Sequence, residues 1–177
     1  MKTLIVFSHQ YFKTSRTNKA MLEAVKCLEG VEVRNLDQIY GSDIFKIDIK
    51  KEQEFLNKAQ NIIFQFPLFW YSTPPMLRAY QDEVFAYGYA YGDNAAALKD
   101  KNFYIATSSE SSKDDFSENG VNKFSLETYL LPLIRTASFT KMKFKGIFTS
   151  YSAFSASDEE VAEFARKYRE FILNLGK

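Results

Sequence analysis

The 177-residue chain predicts an α/β protein whose parallel sheet is covered by helices on both faces. Two observations carry that reading. Five short apolar runs alternate with five segments of helical spacing, and parallel neighbours need such crossovers, which are right-handed. The runs near 61–66 and 102–107 are also apolar almost continuously rather than at alternate positions, as in strands buried on both faces.

The first strand is Lys2 to Ser8 (KTLIVFS), and a polar loop separates it from a helical pattern at Ala20, Met21, Ala24, Val25 and Leu28. Gly30 stops that helix, and Val31 to Leu36 (VEVRNL) suits a second strand. Asp48 to Gln60 follows as a helix with an acidic start, and Asn61 to Phe66 is the third strand. Pro74 and Pro75 then open a helix, where a missing N–H costs nothing. Asn102 to Thr107 (NFYIAT) is the fourth strand. Phe124 to Phe139 has helical spacing, with Pro132 as a kink or break, and Phe144 to Ser150 is the fifth strand. Ser157 to Leu175 closes the chain as a capped helix. Ser157 and Glu160 match a capping box, and Val161, Phe164, Ala165, Tyr168, Phe171, Ile172 and Leu175 form its buried stripe.

Residues 1–177 read as one domain, 46% hydrophobic, with no repeat or Pro/Gly/Ser-rich linker. A net charge of +1 gives no nucleic-acid signal, and Lys141, Lys143 and Lys145 alternate with apolar residues as the exposed face of a strand would. The single Cys27 cannot form an internal disulfide and is expected as a small buried hydrophobe. No signal peptide or membrane span is expected, because the opening apolar run is short and enters a polar loop; a reducing cytoplasm is the expected compartment. His9 is the only histidine, which excludes metal sites needing several imidazoles and a Ser-His-Asp triad on any other histidine. No metal is expected.

Two loops carry the chemistry. Leu68-Phe69-Trp70-Tyr71-Ser72-Thr73 lies beyond the carboxyl end of the third strand, the edge of an open α/β sheet where ligands bind. Its aromatic triplet reads either as a plug packing the next helix onto the sheet or as a flat apolar wall for a planar ligand. The loop from His9 to Asn18 joins the first strand to the first helix, and Ser15, Thr17 and Asn18 offer short donors where the helix dipole favours an anion. The chain has neither a dinucleotide glycine fingerprint nor a GxxxxGK[ST] loop. A phosphate here would be held by hydroxyls and the helix end.

The segments SHQ…SRTNKA, FQFPLFWYSTPPMLRAYQDEVFAYGYAYG and FSENGVNKFSLETYLLPL, taken together, resemble the flavodoxin-like NAD(P)H:quinone oxidoreductases. That family includes diaphorases, modulators of drug activity and ancillary flavoproteins of potassium-efflux systems. The resemblance spans nearly the whole chain. It implies a flavodoxin-like three-layer sandwich with strand order 2-1-3-4-5, a noncovalent flavin, NAD(P)H as co-substrate, two-electron ping-pong transfer to a small-molecule quinone, and a homodimer with a site at each end of its interface. It assigns His9, Ser15, Thr17 and Asn18 to the flavin phosphate and ribityl chain. Pro67, Leu68, Phe69, Trp70 and Tyr71 go to the isoalloxazine ring, and Thr107, Ser108, Ser109 and Glu110 to its pyrimidine edge. Tyr71 is also a wall of the substrate slot. Tyr87, Tyr89 and Tyr91 lie where the family reaches across the dimer to close the partner's pocket, and they read equally as ordinary interface tyrosines.

Two departures stand out. The family's Thr-Thr-Gly-Gly is Thr107-Ser108-Ser109-Glu110 here, which adds bulk and a carboxylate that opposes charge on reduced flavin unless the loop turns it away. Phe116 and Asn122 fall where animal members carry an assisting tyrosine and a catalytic histidine. Phe116 stacks without donating a proton, and Asn122 hydrogen-bonds a quinone oxygen without titrating. Slower quinone turnover than a typical member follows; ordinary family rates, unchanged in Glu110→Gly, would contradict it. FMN suits a chain with no segment beyond the terminal helix to cover an adenine, with FAD the alternative. Two other readings remain open, a flavoprotein regulatory subunit of a potassium-efflux or other membrane transporter, and a flavin-less interaction protein of the same fold.

Overall fold

The computed structural model describes residues 2–176. Five strands, β1 (Thr3–Phe7), β2 (Val31–Asn35), β3 (Asn61–Pro67), β4 (Asn102–Ser108) and β5 (Lys143–Ser150), form one parallel sheet in the order β2-β1-β3-β4-β5. The continuous apolar runs are explained by what covers them. Leu4, Val6, Ile62, Phe64, Phe66, Phe103 and Ile105 face one core, whereas Ile5, Phe7, Ile63, Tyr104 and Ala106 face the other. Side chains alternate across a strand, so a strand buried on both sides must be apolar at every position.

Among the described residues six α-helices complete the two outer layers: α1 (Arg16–Val25), α2 (Leu36–Tyr40), α3 (Ile49–Lys58), α4 (Pro75–Val84), α5 (Leu126–Phe139) and α6 (Asp158–Leu173). Helices α1 and α6 cover one face, with Met21, Leu22, Val25, Tyr168 and Ile172 in its core. Leu36, Leu56, Leu77, Tyr80, Leu130 and Leu133 of the other four fill the opposite core. The capping box at Ser157 and Glu160 is present, and Pro74 and Pro75 start α4. No helix of the described residues is long and apolar enough to cross a membrane.

Three expectations are corrected. Leu36 begins α2 instead of ending β2, because the Asn35 side chain caps the turn by accepting from Gln38 N–H at 3.2 Å. This five-residue helix is too short to show a period in sequence. Pro132 does not end a helix: α5 runs through it, and Pro132 sits on the exposed face, where water can reach the carbonyl its missing N–H leaves free. Cys27 is exposed rather than buried, since it lies past the end of α1, beyond the C-cap Lys26. The three lysines around β5 are exposed as anticipated, and a bulge places Lys145 between Phe144 and Gly146, which pair with Phe103 and Tyr104. Gly146 has φ 147°, and an added Cβ would meet nothing within 4 Å, so glycine is required there by backbone conformation alone.

Register fixes where the loops emerge. Phe7 pairs with Asn35 and Gln65, Pro67 with Ser108, and Ser108 with Ser150, so the loops after β1, β3, β4 and β5 all leave the same carboxyl edge.

Candidate functional site

The loop after β1 is anchored from below. Asp37, in the first turn of α2, accepts Ser8 Oγ–H at 2.7 Å and His9 N–H at 2.8 Å through one oxygen. His9 Nδ1 in turn accepts the Tyr11 N–H at 3.2 Å. That bond leaves the ring proton on Nε2, so the neutral imidazole offers one donor. Burial pushes the His9 pKa down to about 4, with the Asp37 carboxylate opposing the shift. His9 therefore stays neutral through the physiological range. Because its folded pKa lies below 6.5, the unfolded chain takes up the proton first, and the stability this group contributes above pH 6.5 is lost as pH falls towards 4. Urea midpoints at about pH 7.5 and about pH 5, at matched flavin content, should show the wild type losing up to about 2 kcal/mol more than His9→Gln.

Ser15 caps α1 by accepting Asn18 N–H at 3.3 Å, and also accepts from Asn18 Nδ2 at 3.2 Å. Its own hydroxyl proton remains for a ligand. Asn18 Nδ2 also reaches Ser108 Oγ at 3.0 Å, which ties the helix start to the end of β4. Asn18 Oδ1 is buried without a partner. Thr17 differs from the sequence reading: its hydroxyl donates to the Ala153 carbonyl at 2.8 Å, so it is not a free donor. The first turn of α1 holds no acidic residue, and its unpaired N–H groups carry the positive end of the helix dipole.

After β3, Leu68 N–H bonds to the Ser108 carbonyl at 2.8 Å, and Phe69 and Ser72 exchange N–H···O bonds of 3.0 and 2.9 Å. The two residues between them, Trp70 and Tyr71, have φ 48° and 61°. This is the dihedral pattern of a type I′ turn, which favours Asn-Gly, occupied instead by two aromatic residues at a cost of about 1 kcal/mol or more each. Trp70 is 93% exposed at the tip. Trp70→Asn is expected to raise stability by about 0.5–1 kcal/mol in a denaturant titration, because it relieves the turn.

The loop after β4 closes the site. Glu110 turns its carboxylate to the Phe154 N–H, at 2.9 Å, in the loop after β5. Ser109 accepts the Ala153 N–H through its carbonyl at 2.9 Å, so the two loops are knitted together. Gly120 lets the chain double back: an added Cβ would stand 2.4 Å from the Asp115 carbonyl oxygen, the same oxygen that accepts the Asn122 N–H at 3.0 Å. Asn122 is thereby returned to the site.

These loops enclose a cleft of about 530 Å³ that includes His9, Ser15, Thr17, Asn18, Pro67, Leu68, Phe69, Ser108, Ser109 and Glu110 in its lining. A hollow of about 190 Å³ shares Leu68, Ser109 and Glu110 with it and is completed by Trp70, Tyr71, Ser111, Phe116 and Asn122. Thr107 is corrected: it lies inside β4, fully buried, and its side chain lines neither cavity. Tyr89 has its hydroxyl within 3.1 Å of the Gln53 carbonyl and 3.0 Å of Asn57 Oδ1, away from this chain's own cleft. Tyr87 and Tyr91 meet edge-on, Tyr91 packs on Phe139, and none of the three lines the chain's own site. The sequence reading misses Tyr11, Thr14, Arg16, Ala153 and Phe154 as lining residues. The last two follow the fifth strand, and the carboxyl-edge rule applied to that loop would have found them.

A 2-1-3-4-5 sheet with an anion-receptive helix start and an aromatic turn on its carboxyl edge defines a flavodoxin-type α/β protein. A family model described as flavodoxin-like fold matches residues 1–172, and the chain belongs to that family. It is 37% identical over 175 residues to an uncharacterized NAD(P)H oxidoreductase, YdeQ, of Bacillus subtilis (strain 168), covering 99% of this chain and 88% of the relative. It is also 37% identical over 171 residues to the ancillary protein KefF of a glutathione-regulated potassium-efflux system from Enterobacter sp. (strain 638), covering 97% and 95%. The structure of general stress protein 14 from Treponema denticola in complex with FMN superposes with a TM-score of 0.90 at 30% identity, covering 97% of this chain and 98% of that one. The resemblance read from the motifs is borne out.

Proposed function

We propose that this chain is a flavin-dependent NAD(P)H:quinone oxidoreductase that binds FMN. The supporting observation is the joined cleft and hollow at the carboxyl edge, with an unpaired buried acceptor, Asn18 Oδ1, in one and an unpaired buried donor, Asn122 Nδ2, in the other. The residues fit a flavin mononucleotide. The Ser15 hydroxyl, His9 Nε2–H and the first-turn N–H groups of α1 would hold its phosphate, and Asn18 Oδ1 would accept from a ribityl hydroxyl. Pro67, Leu68, Phe69, Trp70 and Tyr71 would line the ring, and Ser108 and Ser109 would serve its pyrimidine edge. Glu110 takes part through the loop it holds, because its carboxylate is turned to the Phe154 amide.

FMN is favoured over FAD by the relative with FMN bound and by Arg16. That guanidinium lines the cleft mouth but donates to the Ala156 carbonyl at 2.8 Å and pairs with Asp158, so no free cation awaits a second phosphate there. Bound flavin supplies a two-electron relay between donor and acceptor. NAD(P)H and one proton are consumed, and the quinone leaves as hydroquinone with two electrons and two protons added. Donor and acceptor use the same hollow in turn, which is ping-pong exchange. The protein shapes that hollow with Leu68, Phe116 and Tyr71, and offers a donor for a substrate oxygen. Exposed Tyr87, Tyr91 and Phe139 support a homodimer interface, and a need for NAD(P)H supports a cytoplasmic location.

The test is an absorbance spectrum of the purified protein, repeated anaerobically after NADH or NADPH and again after a benzoquinone. Flavin bands that bleach and recover support the cycle. A colourless protein that refuses both FMN and FAD overturns it in favour of an interaction protein of the same fold. The relative named as a potassium-efflux ancillary protein supports a second reading, regulation of a membrane transporter by nucleotide occupancy. Flavin that binds NAD(P)H but turns over only slowly with quinones would favour that role.

A further inference from the structure

We infer that Tyr71 is a positioning residue that holds the Asn122 amide so that its two N–H bonds face the hollow, where they receive a carbonyl oxygen of the electron acceptor. The inference rests on the oxidoreductase reading and names how that site recognises its substrate.

Asn122 is 6% exposed, and every polar group it carries has a partner except one. Its N–H donates to the Asp115 carbonyl at 3.0 Å. Its carbonyl accepts the Phe124 N–H at 2.8 Å and the Tyr129 hydroxyl. Its Oδ1 accepts the Tyr71 hydroxyl at 3.3 Å. Nδ2 alone has no partner, and it belongs to a residue lining the hollow beside Tyr71, Phe116 and Leu68. Leaving a buried amide unpaired costs about 1–3 kcal/mol, so an oxygen acceptor that pairs with this group is favoured by a similar amount.

Tyr71 decides which end of the amide is left over. A phenol has one proton, and giving it to Oδ1 commits that atom and leaves Nδ2 as the unpaired end of the amide. The ring is itself held by stacking on Tyr129 at 4.7 Å between centroids. The same residue sits at φ 61°, next to Trp70 at 48°. An Asn-Gly turn would be free of that strain but would carry no phenol to reach Asn122. The strained turn and the oriented amide are thus two ends of one arrangement. An amide does not titrate, so the ligand it selects is a neutral or anionic oxygen acceptor, and a quinone carbonyl fits.

The experiment compares wild type with Tyr71→Phe, which keeps the ring and its stacking, and Asn122→Asp, which keeps the shape but replaces the donor by an acceptor. Each is assayed with a benzoquinone and with ferricyanide, which has no carbonyl, across a range of pH. Asn122→Asp should lower kcat/KM for the quinone about tenfold relative to that for ferricyanide at neutral pH and recover as the carboxyl is protonated on acidification. Tyr71→Phe should lower the same ratio about threefold or more through KM, without a new pH dependence. Independently of turnover, the Asn122 side-chain amide resonance in ¹⁵N spectra should shift when a non-reducible aromatic ketone is added, and the shift should shrink in Tyr71→Phe. Unchanged ratios in both variants together with an unmoved resonance would overturn the inference. A ketone-dependent resonance in a protein that never oxidises NAD(P)H would instead sink the oxidoreductase reading and leave carbonyl recognition standing.

Discussion

Replacing Glu52 by alanine is expected to remove about 3–5 kcal/mol of folding stability, read as a lowered midpoint in urea. Glu52 is fully buried in α3, and its carboxylate accepts a forked pair of bonds from Arg34 of β2, with Nη2 at 2.6 Å and Nε at 3.1 Å. Arg34 is itself largely buried and lies over the Phe55 ring at 4.3 Å. Tyr40 adds its hydroxyl to the same carboxylate oxygen at 2.6 Å, and burial together with that carboxylate pushes the Tyr40 pKa up to about 12. Removing Glu52 strands a guanidinium and a phenol with no acceptor, which is far costlier than losing the pair as a unit. The double change Arg34→Met with Glu52→Leu should therefore recover most of the loss. A Glu52→Ala protein within about 1 kcal/mol of wild type would show that water reaches this cluster.

Asn18→Ala is expected to weaken flavin binding by about fivefold to tenfold, because the one hydrogen bond of about 1 kcal/mol that Oδ1 would make to the ligand disappears, while the bonds to Ser15 and Ser108 are lost from the fold itself. One amide holds Ser15, joins the helix to Ser108 and leaves Oδ1 for the ligand. The measurement is quenching of flavin fluorescence on titration with protein, with a far-ultraviolet spectrum to establish that the variant is folded. Unchanged affinity would remove the cleft beside α1 as the phosphate and ribityl site.

The strands were legible in sequence because burial on both faces makes them apolar at nearly every position. Asn61 to Phe66 and Asn102 to Thr107 are each extended by one residue in β3 and β4, ends that a polar Ser108 or a Pro67 cannot announce. That the loops after β1 and β3 meet at one edge was legible from the parallel sheet, whose carboxyl edge is where ligands sit. Helix α2 was not, since five residues cannot display a helical period. Glu110 was read as a carboxylate near the pyrimidine edge or turned to solvent; it is exposed, and what the sequence could not show is that it accepts the Phe154 amide, a partner 44 positions along the chain.

The sequence alone determined the parallel α/β architecture, the edge that carries the site and most of the residues lining it, because periodicity and loop chemistry are local properties of the chain. Tertiary structure alone decided which polar groups are paired. Arg34 and Glu52 read as ordinary surface charges until the sheet and α3 exclude water from them. Tyr71 and Asn122 lie 51 positions apart, and only the fold brings the phenol to the amide. Hydrogen-bond partners separated along the chain leave no period behind them, and it is their pairing that leaves Asn18 Oδ1 and Asn122 Nδ2 buried without a protein partner.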